Sequence, residues 1–214
     1  METRKVINYI ARTAIFGALA IILYMVPGLQ FPIIPGLSFL KLHFDEIPVL
    51  IASLAYGPLM GTLLILIKGA FKLIQDIGET GGIGVLADVI YGLALVIPAA
   101  LYYKKHRTLK GGLISIIIGI FSNLLVSSVL GFYLIYPLYG FYFNPNAKTY
   151  EDAMTTVLQI FNKVDPSLTN PYSFMINLEF ILPFNLIKNA IIGVMTFLVY
   201  KPILKLLSFK ENNK

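Results

Sequence analysis

Cysteine and tryptophan are absent from this chain of 214 residues, and histidine occurs only twice, as His43 and His106. The lack of cysteine excludes disulfides, thiolate nucleophiles and cysteine-based metal sites. Two histidines without cysteine are too few for a conventional zinc site. The composition therefore predicts no metal site and no resident cofactor.

The sequence motifs of several enzyme classes are also missing. No Gly-x-x-x-x-Gly-Lys-Ser/Thr occurs, so the chain has no P-loop and is not expected to hydrolyse ATP itself. No Gly-x-Ser-x-Gly nucleophile motif is present either. An intramembrane aspartyl pair would need two carboxylates in facing spans, and Asp88 is the only acid clearly inside one. No catalytic residue is predicted, and an intramembrane enzyme that depends on Asp88 is kept only as an alternative.

Charged residues make up only 13% of the chain, whereas 57% of the residues are hydrophobic. A membrane-spanning helix needs about 20 mostly apolar residues. Apolar runs that predict such helices lie at residues 6–26, 40–56, 58–74, 83–103, 111–136 and 178–200. The sequence thus predicts an all-α fold, a six-helix transmembrane bundle in which residues 1–214 form a single integral membrane domain.

The distribution of basic residues favours six spans over five. Lysine and arginine cluster near the N-terminus, at residues 104–110 and from residue 201 onward, and the positive-inside rule places all three clusters in the cytoplasm. An even number of crossings must separate any two of them, so the chain has to turn at Gly57-Pro58. Both termini are therefore predicted to be cytoplasmic. The net charge of +6 follows this topology, so no nucleic-acid partner is predicted.

Two external connections are long. The loop after helix 1, residues 27–39, is rich in proline and glycine, which favours a constrained extended segment that can fold over a cavity. The loop between helices 5 and 6, residues 137–177, contains a predicted amphipathic helix that begins with a capping box of Thr149 and Asp152. Two interpretations of this helix stay open: a surface helix on the membrane or on its own loops, and a lid over an outward-facing pocket.

Lys188 stands in the last apolar run, with Asn185 and Asn189 on the same helical face. An ionisable side chain inside a membrane costs about 2.5 to 3.5 kcal/mol, so it usually faces a cavity, a partner or a ligand. This polar stripe is the first candidate binding site.

Further charges accompany the second to fourth spans. Lys68 needs a partner, and either a structural pair with Asp88 or a ligand contact would supply one, whereas Lys72 is expected to snorkel to the outer interface. Asp45 and Glu46 suit a negatively charged helix start. Lys41 carries a positive charge, which does not suit a helix start, so it is a candidate for contact with a ligand.

Helix 1 carries small residues, including Ala14 and Ala18, at a spacing that permits close helix approach in lipid. Internal packing and a partner surface both explain this spacing.

Five segments stand out in order along nearly the whole chain. They are Leu42-His43-Phe44-Asp45-Glu46-Ile47-Pro48, Tyr56-Gly57-Pro58 through Lys68, Gly84 to Gly92, Pro137-Leu138-Tyr139-Gly140, and Pro183-Phe184-Asn185-Leu186-Ile187-Lys188. Together they resemble the substrate-binding S components of energy-coupling factor (ECF) transporters, most closely the riboflavin-specific members. The last segment resembles the signature in which the family holds its vitamin with an asparagine and a lysine.

The resemblance implies a function and a set of residues. Riboflavin, or a related flavin such as FMN, would be captured from outside a bacterial plasma membrane and delivered inward, with a separate transmembrane coupling protein and two ATPase subunits as partners. Ala14 and Ala18 would form the docking surface for the coupling protein. The expected substrate-binding residues are Phe39, Leu40, Lys41, Lys68, Asp88, Phe184, Asn185 and Lys188.

The chain also departs from the riboflavin members. His43 stands where they carry an acid, and Gly131 stands where they carry a binding asparagine. Another vitamin, such as pantothenate or folate, is therefore an alternative substrate. A non-transporting membrane assembly module, in which the polar stripe pairs with a partner helix, is an alternative of another class.

Overall fold

The computed structural model describes residues 2–37 and 40–211, so the predicted site residue Phe39 lies outside the described residues. The helices are α1 (Glu2–Met25), α2 (Glu46–Tyr56), α3 (Pro58–Thr80), α4 (Ile83–Lys105), α5 (Leu109–Leu130), α6 (Tyr136–Phe143), α7 (Tyr150–Phe161) and α8 (Leu182–Glu211). A 3-10 turn (Pro27–Leu29) and two short strands, β1 (Phe31–Pro32) and β2 (Lys41–Leu42), connect α1 to α2. A π-helical segment (Gly131–Ile135) joins α5 to α6, and another (Asn177–Ile181) leads into α8.

Five helical segments in the described part of the chain are long and apolar enough to cross a membrane. They are Thr3–Met25, Pro58–Thr80, Ile83–Lys105, Leu109–Phe143 and Asn177–Tyr200. The helical membrane fold is thus confirmed, but the second predicted span is not a full-length helix. Its helical part, α2, has 11 residues and is about 16 Å long at 1.5 Å per residue. The amphipathic helix predicted in the long loop is present as α7, and the fifth span continues through α6 to Phe143, beyond its predicted end at residue 136.

The predicted break at Gly57-Pro58 is present. Gly57 adopts a φ of 101°, which an L side chain rarely tolerates, and α3 begins at Pro58. Proline suits this first helical position because its missing N–H would have no partner inside the helix. At this break the chain turns, and α3 runs back along α2.

The main core forms around α2. Its apolar residues Val49, Leu50 and Ala52 are fully buried among side chains of the long helices, such as Leu64 and Leu95. By contrast, α1 lies at the periphery and exposes large apolar side chains. An apolar exterior of this kind suits contact with lipid.

A second apolar cluster lies outside the bundle, where the two long external connections meet. The Pro/Gly-rich connection folds into an antiparallel hairpin in which Phe31 faces Leu42, and Leu37 beyond it is fully buried. Helix α7 buries its apolar face, including Met154 and Phe161, in the same cluster. α7 therefore rests on the protein's own loops and π-helical segments.

The predicted capping box of α7 is confirmed. The Thr149 hydroxyl accepts a hydrogen bond from the Asp152 N–H at 3.1 Å, and the Asp152 carboxylate accepts one from the Thr149 N–H at 2.9 Å. Hydrogen bonds from the N–H groups of Lys148 and Thr149 hold the pKa of Asp152 below its usual range. These bonds satisfy donors that the first turn of a helix otherwise leaves unpaired.

Gly140→Ala should separate α6 from α7. A Cβ at this position would collide with the backbone carbonyl of Ala153, which has no alternative rotamer to adopt. Overpacking of this kind costs about 1–3 kcal/mol of unfolding free energy, measured as a lower thermal unfolding midpoint in detergent. Gly78→Ala is the control, since no residue that the structure describes lies within 4 Å of its Cβ position in α3. Equal midpoints for the two variants would contradict the close approach.

Candidate functional site

Six charged side chains from α3, α4, α8 and the start of α2 form a closed ring in which positive and negative groups alternate. In order around the ring they are Lys68, Asp45, Lys72, Asp88, Lys188 and Glu46. The N···O distances are 2.7 Å for Lys68 to Asp45, 3.0 Å for Lys72 to Asp45, 3.7 Å for Lys188 to Asp88, 3.5 Å for Lys188 to Glu46 and 3.8 Å for Lys68 to Glu46. Lys72 also contacts Asp88 directly. Three cations and three anions make the ring formally neutral.

The ring is almost completely enclosed by protein. The side chains of Asp45, Glu46 and Lys68 are 1% exposed, whereas Asp88 is 21% exposed. Buried charges are tolerated only when they are paired, because removing one partner leaves the other desolvated and uncompensated. Lys188 is therefore held between two carboxylates before any ligand arrives.

The ring corrects two sequence-based expectations, for Lys68 and Lys72, and adds burial to a third, for Asp45 and Glu46. Lys68 pairs with Asp45 and Glu46 instead of Asp88, whose cations are Lys72 and Lys188. Lys72 is only 2% exposed, so it does not snorkel to the interface. Asp45 and Glu46 do lie at a helix start, but both are buried in the ring.

One face of the ring opens into a cavity between the helical bundle and the hairpin. The cavity, together with the open solvent at its mouth, encloses about 870 Å³. Its lining combines charged, hydroxyl and aromatic or aliphatic side chains: Tyr24, Leu40, Lys41, His43, Lys72, Asp76, Glu79, Thr80, Gly84, Val85, Ala87, Asp88, Tyr91, Ile135, Tyr136, Tyr139, Ile181, Phe184, Asn185 and Lys188.

The structure brings most of the predicted site residues together here. The predicted residues that line the cavity are Leu40, Lys41, Asp88, Phe184, Asn185 and Lys188. Lys68 does not line it, because it lies on the side of the ring away from the cavity, in contact with Asp45.

Asn189 departs from its predicted place in the polar stripe. Its side-chain amide donates a hydrogen bond to the Asn123 side chain at 2.7 Å, and Asn123 in turn donates to the backbone carbonyl of Tyr91. Asn185 and Lys188 face the cavity, whereas Asn189 ties α8 to α5 and α4. Lys188 and Asn189 are consecutive residues, yet one lines the cavity and the other is a structural amide.

The wall formed by α6 and α8 is held by a second buried amide. The Tyr136 hydroxyl donates to the Asn177 side-chain carbonyl at 2.7 Å, and the Asn177 amide donates to the backbone carbonyl of Ser128 at 2.9 Å. These bonds join the start of the second π-helical segment to α5 and α6, which flank the first one, and Tyr136 itself lines the cavity. π-helical turns often occur at functional sites.

A salt bridge crosses the mouth of the cavity. Lys41 of β2 donates to the Glu79 carboxylate near the end of α3 at 3.1 Å. Glu79 is 65% exposed, so solvent weakens this contact relative to the pairs in the ring. The hairpin therefore covers the cavity and is attached to α3 at its edge.

Residues 8–200 match the family described as the substrate-specific component of ECF transporters. The chain belongs to this family. It is 29% identical over 194 residues to the riboflavin transporter FmnP of Bacillus subtilis, covering 89% of this chain and 90% of the relative. It is 26% identical over 190 residues to the riboflavin transporter RibU of Staphylococcus aureus, covering 89% and 88%. This S component is a multi-pass bacterial membrane protein.

A solved S component of a bacterial ECF transporter has the same fold. The two structures superpose with a TM-score of 0.66 over 94% of this chain and 97% of the solved chain. Their sequence identity is 22%, so this comparison concerns the fold alone.

Ala14 and Ala18 lie on the outside of this S component, away from the cavity. Both are exposed and line an apolar groove between α1 and α3. The neighbouring Gly17 is buried, and its Cβ position lies 3.5 Å from Leu64 of α3. The small residues of α1 thus divide between internal packing at Gly17 and an exposed surface at the two alanines.

Several residues that line the cavity were not predicted as site residues from the sequence. Asp76 and Thr80 lie four residues apart at the end of α3, a spacing that could have indicated a shared helical face, whereas Gly84 lies beyond the break, in α4. The tyrosines of the lining carried no such signal, because aromatic residues are also common where helices meet the membrane interface. They are Tyr24, Tyr91, Tyr136 and Tyr139.

Proposed function

We propose that this S component captures riboflavin in the cavity beneath the hairpin and delivers it inward. The observation that carries the proposal is the position of Asn185 and Lys188, which line one wall of a cavity that also contains aromatic and aliphatic surface. Relatives that align over nearly the whole chain are named riboflavin transporters. Phe39 remains part of the proposed site on the strength of the sequence alone.

The lining suits a ligand with a flat aromatic ring and a polyhydroxyl chain. Leu40 and Phe184 supply apolar surface for the ring. Asn185, Lys188 and Lys41 supply donors and an acceptor for hydroxyl and carbonyl groups. Asp88 pairs with Lys188 within the ring and thereby fixes its position. Lys68 acts on the site only through Asp45 and Glu46, so we assign Lys68 a positioning role.

Six crossings remain our proposal for the topology, with both termini in the cytoplasm. α2 is too short to span alone, but the segment that precedes it lines the cavity and is enclosed by protein. Irregular backbone is tolerated at membrane depth where protein or a cavity surrounds it. The hairpin connection and α2 together would complete the second crossing, which preserves the positive-inside arrangement.

Transport by this S component would rely on partners. The chain has no P-loop, so a coupling protein and two ATPase subunits would supply the energy, and we propose no enzymatic activity for the chain itself. The exposed groove at Ala14 and Ala18 would dock the coupling protein. Close helix approach over small residues is a common way for membrane helices to associate.

Asn185→Ala tests the vitamin and the site together. Losing a buried hydrogen-bonding group should weaken riboflavin binding by about tenfold or more, measured by quenching of flavin fluorescence on titration into the detergent-purified protein. Asn146→Ala, on the exposed outer loop, is the matched control and should bind as the wild type does. If the wild-type protein does not bind riboflavin but releases heat on titration with pantothenate, the choice of vitamin is overturned.

A further inference from the structure

The cavity lining and the ring together contain five carboxylates but only four lysines. Lys72, Lys188 and Asp88 belong to the neutral ring, and Lys41 pairs with Glu79. Asp76 is then left as the only lining carboxylate in the described part of the chain with no lysine or arginine within 4.0 Å. With histidine counted as neutral, the lining and the ring together therefore carry one uncompensated negative charge, and it lies at Asp76.

Asp76 is fixed in place by the corner between α3 and α4. One of its oxygens, Oδ2, accepts hydrogen bonds from the Thr80 hydroxyl and, at 3.3 Å, from the N–H of Val85. The other, Oδ1, has no hydrogen bond from any described residue. A Cβ on Gly84 would lie 2.9 Å from Oδ1, so the glycine leaves room beside it.

The helix dipole offsets only part of this charge. Val85 lies in the first turn of α4, where the amino end of a helix carries about half of an elementary positive charge. A full carboxylate at that position remains net negative. Water at the open mouth screens it further but does not cancel it.

We propose that Asp76 is a specificity-determining residue that favours an uncharged flavin over a phosphorylated one. Its open oxygen accepts a hydrogen bond from a donor on the ligand, and its charge repels a phosphate group, which carries about −1.5 to −2 at pH 7. The proposal rests on the proposed function, because it takes the cavity as the flavin site. It adds the residue that sets which flavin is preferred.

A purely structural role for Asp76 makes a different prediction. If the carboxylate served only to join α3 to α4, its loss would weaken every ligand by the same factor. A charge effect instead changes the ratio of the two dissociation constants. The ratio for FMN over riboflavin is therefore the quantity to measure.

The experiment titrates detergent-purified protein with riboflavin and with FMN, and follows flavin fluorescence. Wild type should bind riboflavin at least about tenfold more tightly, the effect expected for charges about 10 Å apart at an effective dielectric of about 20. Asp76→Asn should lower the ratio several-fold, whereas Asp76→Glu should preserve it. Thr80→Val removes a hydrogen bond without changing the charge, and Glu151→Gln removes an exposed carboxylate of α7 that does not line the cavity; both should keep the ratio within about a factor of four of wild type.

The outcomes separate this proposal from the proposed function. Wild-type protein that binds neither flavin would overturn both. If the wild-type protein binds riboflavin and FMN with equal affinity, only the proposed role of Asp76 is overturned. This measurement uses the wild-type protein, so it does not depend on whether a variant folds. An unchanged ratio in Asp76→Asn, or an equal drop in Thr80→Val, would also reject it.

Discussion

Lys68→Met should lower the free energy of unfolding by about 3–5 kcal/mol, the cost of leaving a buried charge without its partner. Lys68 is 1% exposed, and its ammonium group contacts both Asp45 and Glu46. Without it the ring holds three carboxylates and two lysines, and Asp45 and Glu46, each 1% exposed, are shielded from water that could solvate the excess charge. At this chain length, the loss corresponds to a decrease of roughly 10 °C in the unfolding midpoint measured in detergent.

A second substitution tests whether charge imbalance is the cause. Asp45 is the nearest partner of Lys68, and Asp45→Asn in the Lys68→Met background leaves two lysines and two carboxylates. The double variant should therefore be more stable than the sum of the two single effects predicts. Lys163→Met, at an exposed lysine of the outer loop, controls for the loss of a lysine as such. Strictly additive effects would show that the ring does not act as a unit.

Ala14→Trp and Ala18→Trp should each reduce riboflavin uptake by cells to background while leaving riboflavin binding by the purified protein within about twofold of wild type. Both alanines are exposed in the groove between α1 and α3, and neither lines the cavity. An indole ring would fill the groove and hold a partner helix away, since such helices approach closely only over small residues. Uptake is expected to fail at assembly with the coupling protein.

Ile15→Trp provides the matched control for this prediction. Ile15 is exposed on α1 but does not line the groove, so a tryptophan there should face lipid and leave uptake intact. Normal uptake by the Ala14 and Ala18 variants would show that the coupling protein docks elsewhere. Loss of vitamin binding in these variants would instead indicate that α1 contributes to the cavity, as its Tyr24 already does.

The sequence predicted those features that depend on neighbours along the chain. Gly57-Pro58 specified a break because both residues restrict the backbone where they stand, and Thr149 with Asp152 specified a helix start. Asn185 and Lys188 were assigned to one face because a helix repeats every 3.6 residues. The chemistry of the last span was therefore evident from local spacing and from the cost of a charge in lipid.

Contacts between distant segments could not be predicted in this way. Lys68 and Lys72 share a helical face with each other, but which acid each one meets depends on the rotation and depth of α2, α4 and α8 relative to α3. Likewise, an apolar run from 40 to 56 does not reveal that only Glu46–Tyr56 is helical, because strand β2 is stabilised by β1 across the hairpin.

The sequence by itself thus determined the membrane class, most of the spans and the two polar residues at the centre of the proposed site. The tertiary structure alone decided the alternating ring, the separation of Asn189 from Asn185, and the uncompensated charge at Asp76. The physical reason is the range of the interactions. Helical periodicity acts over three or four residues, whereas an ion pair in a cavity forms only after the helices have packed.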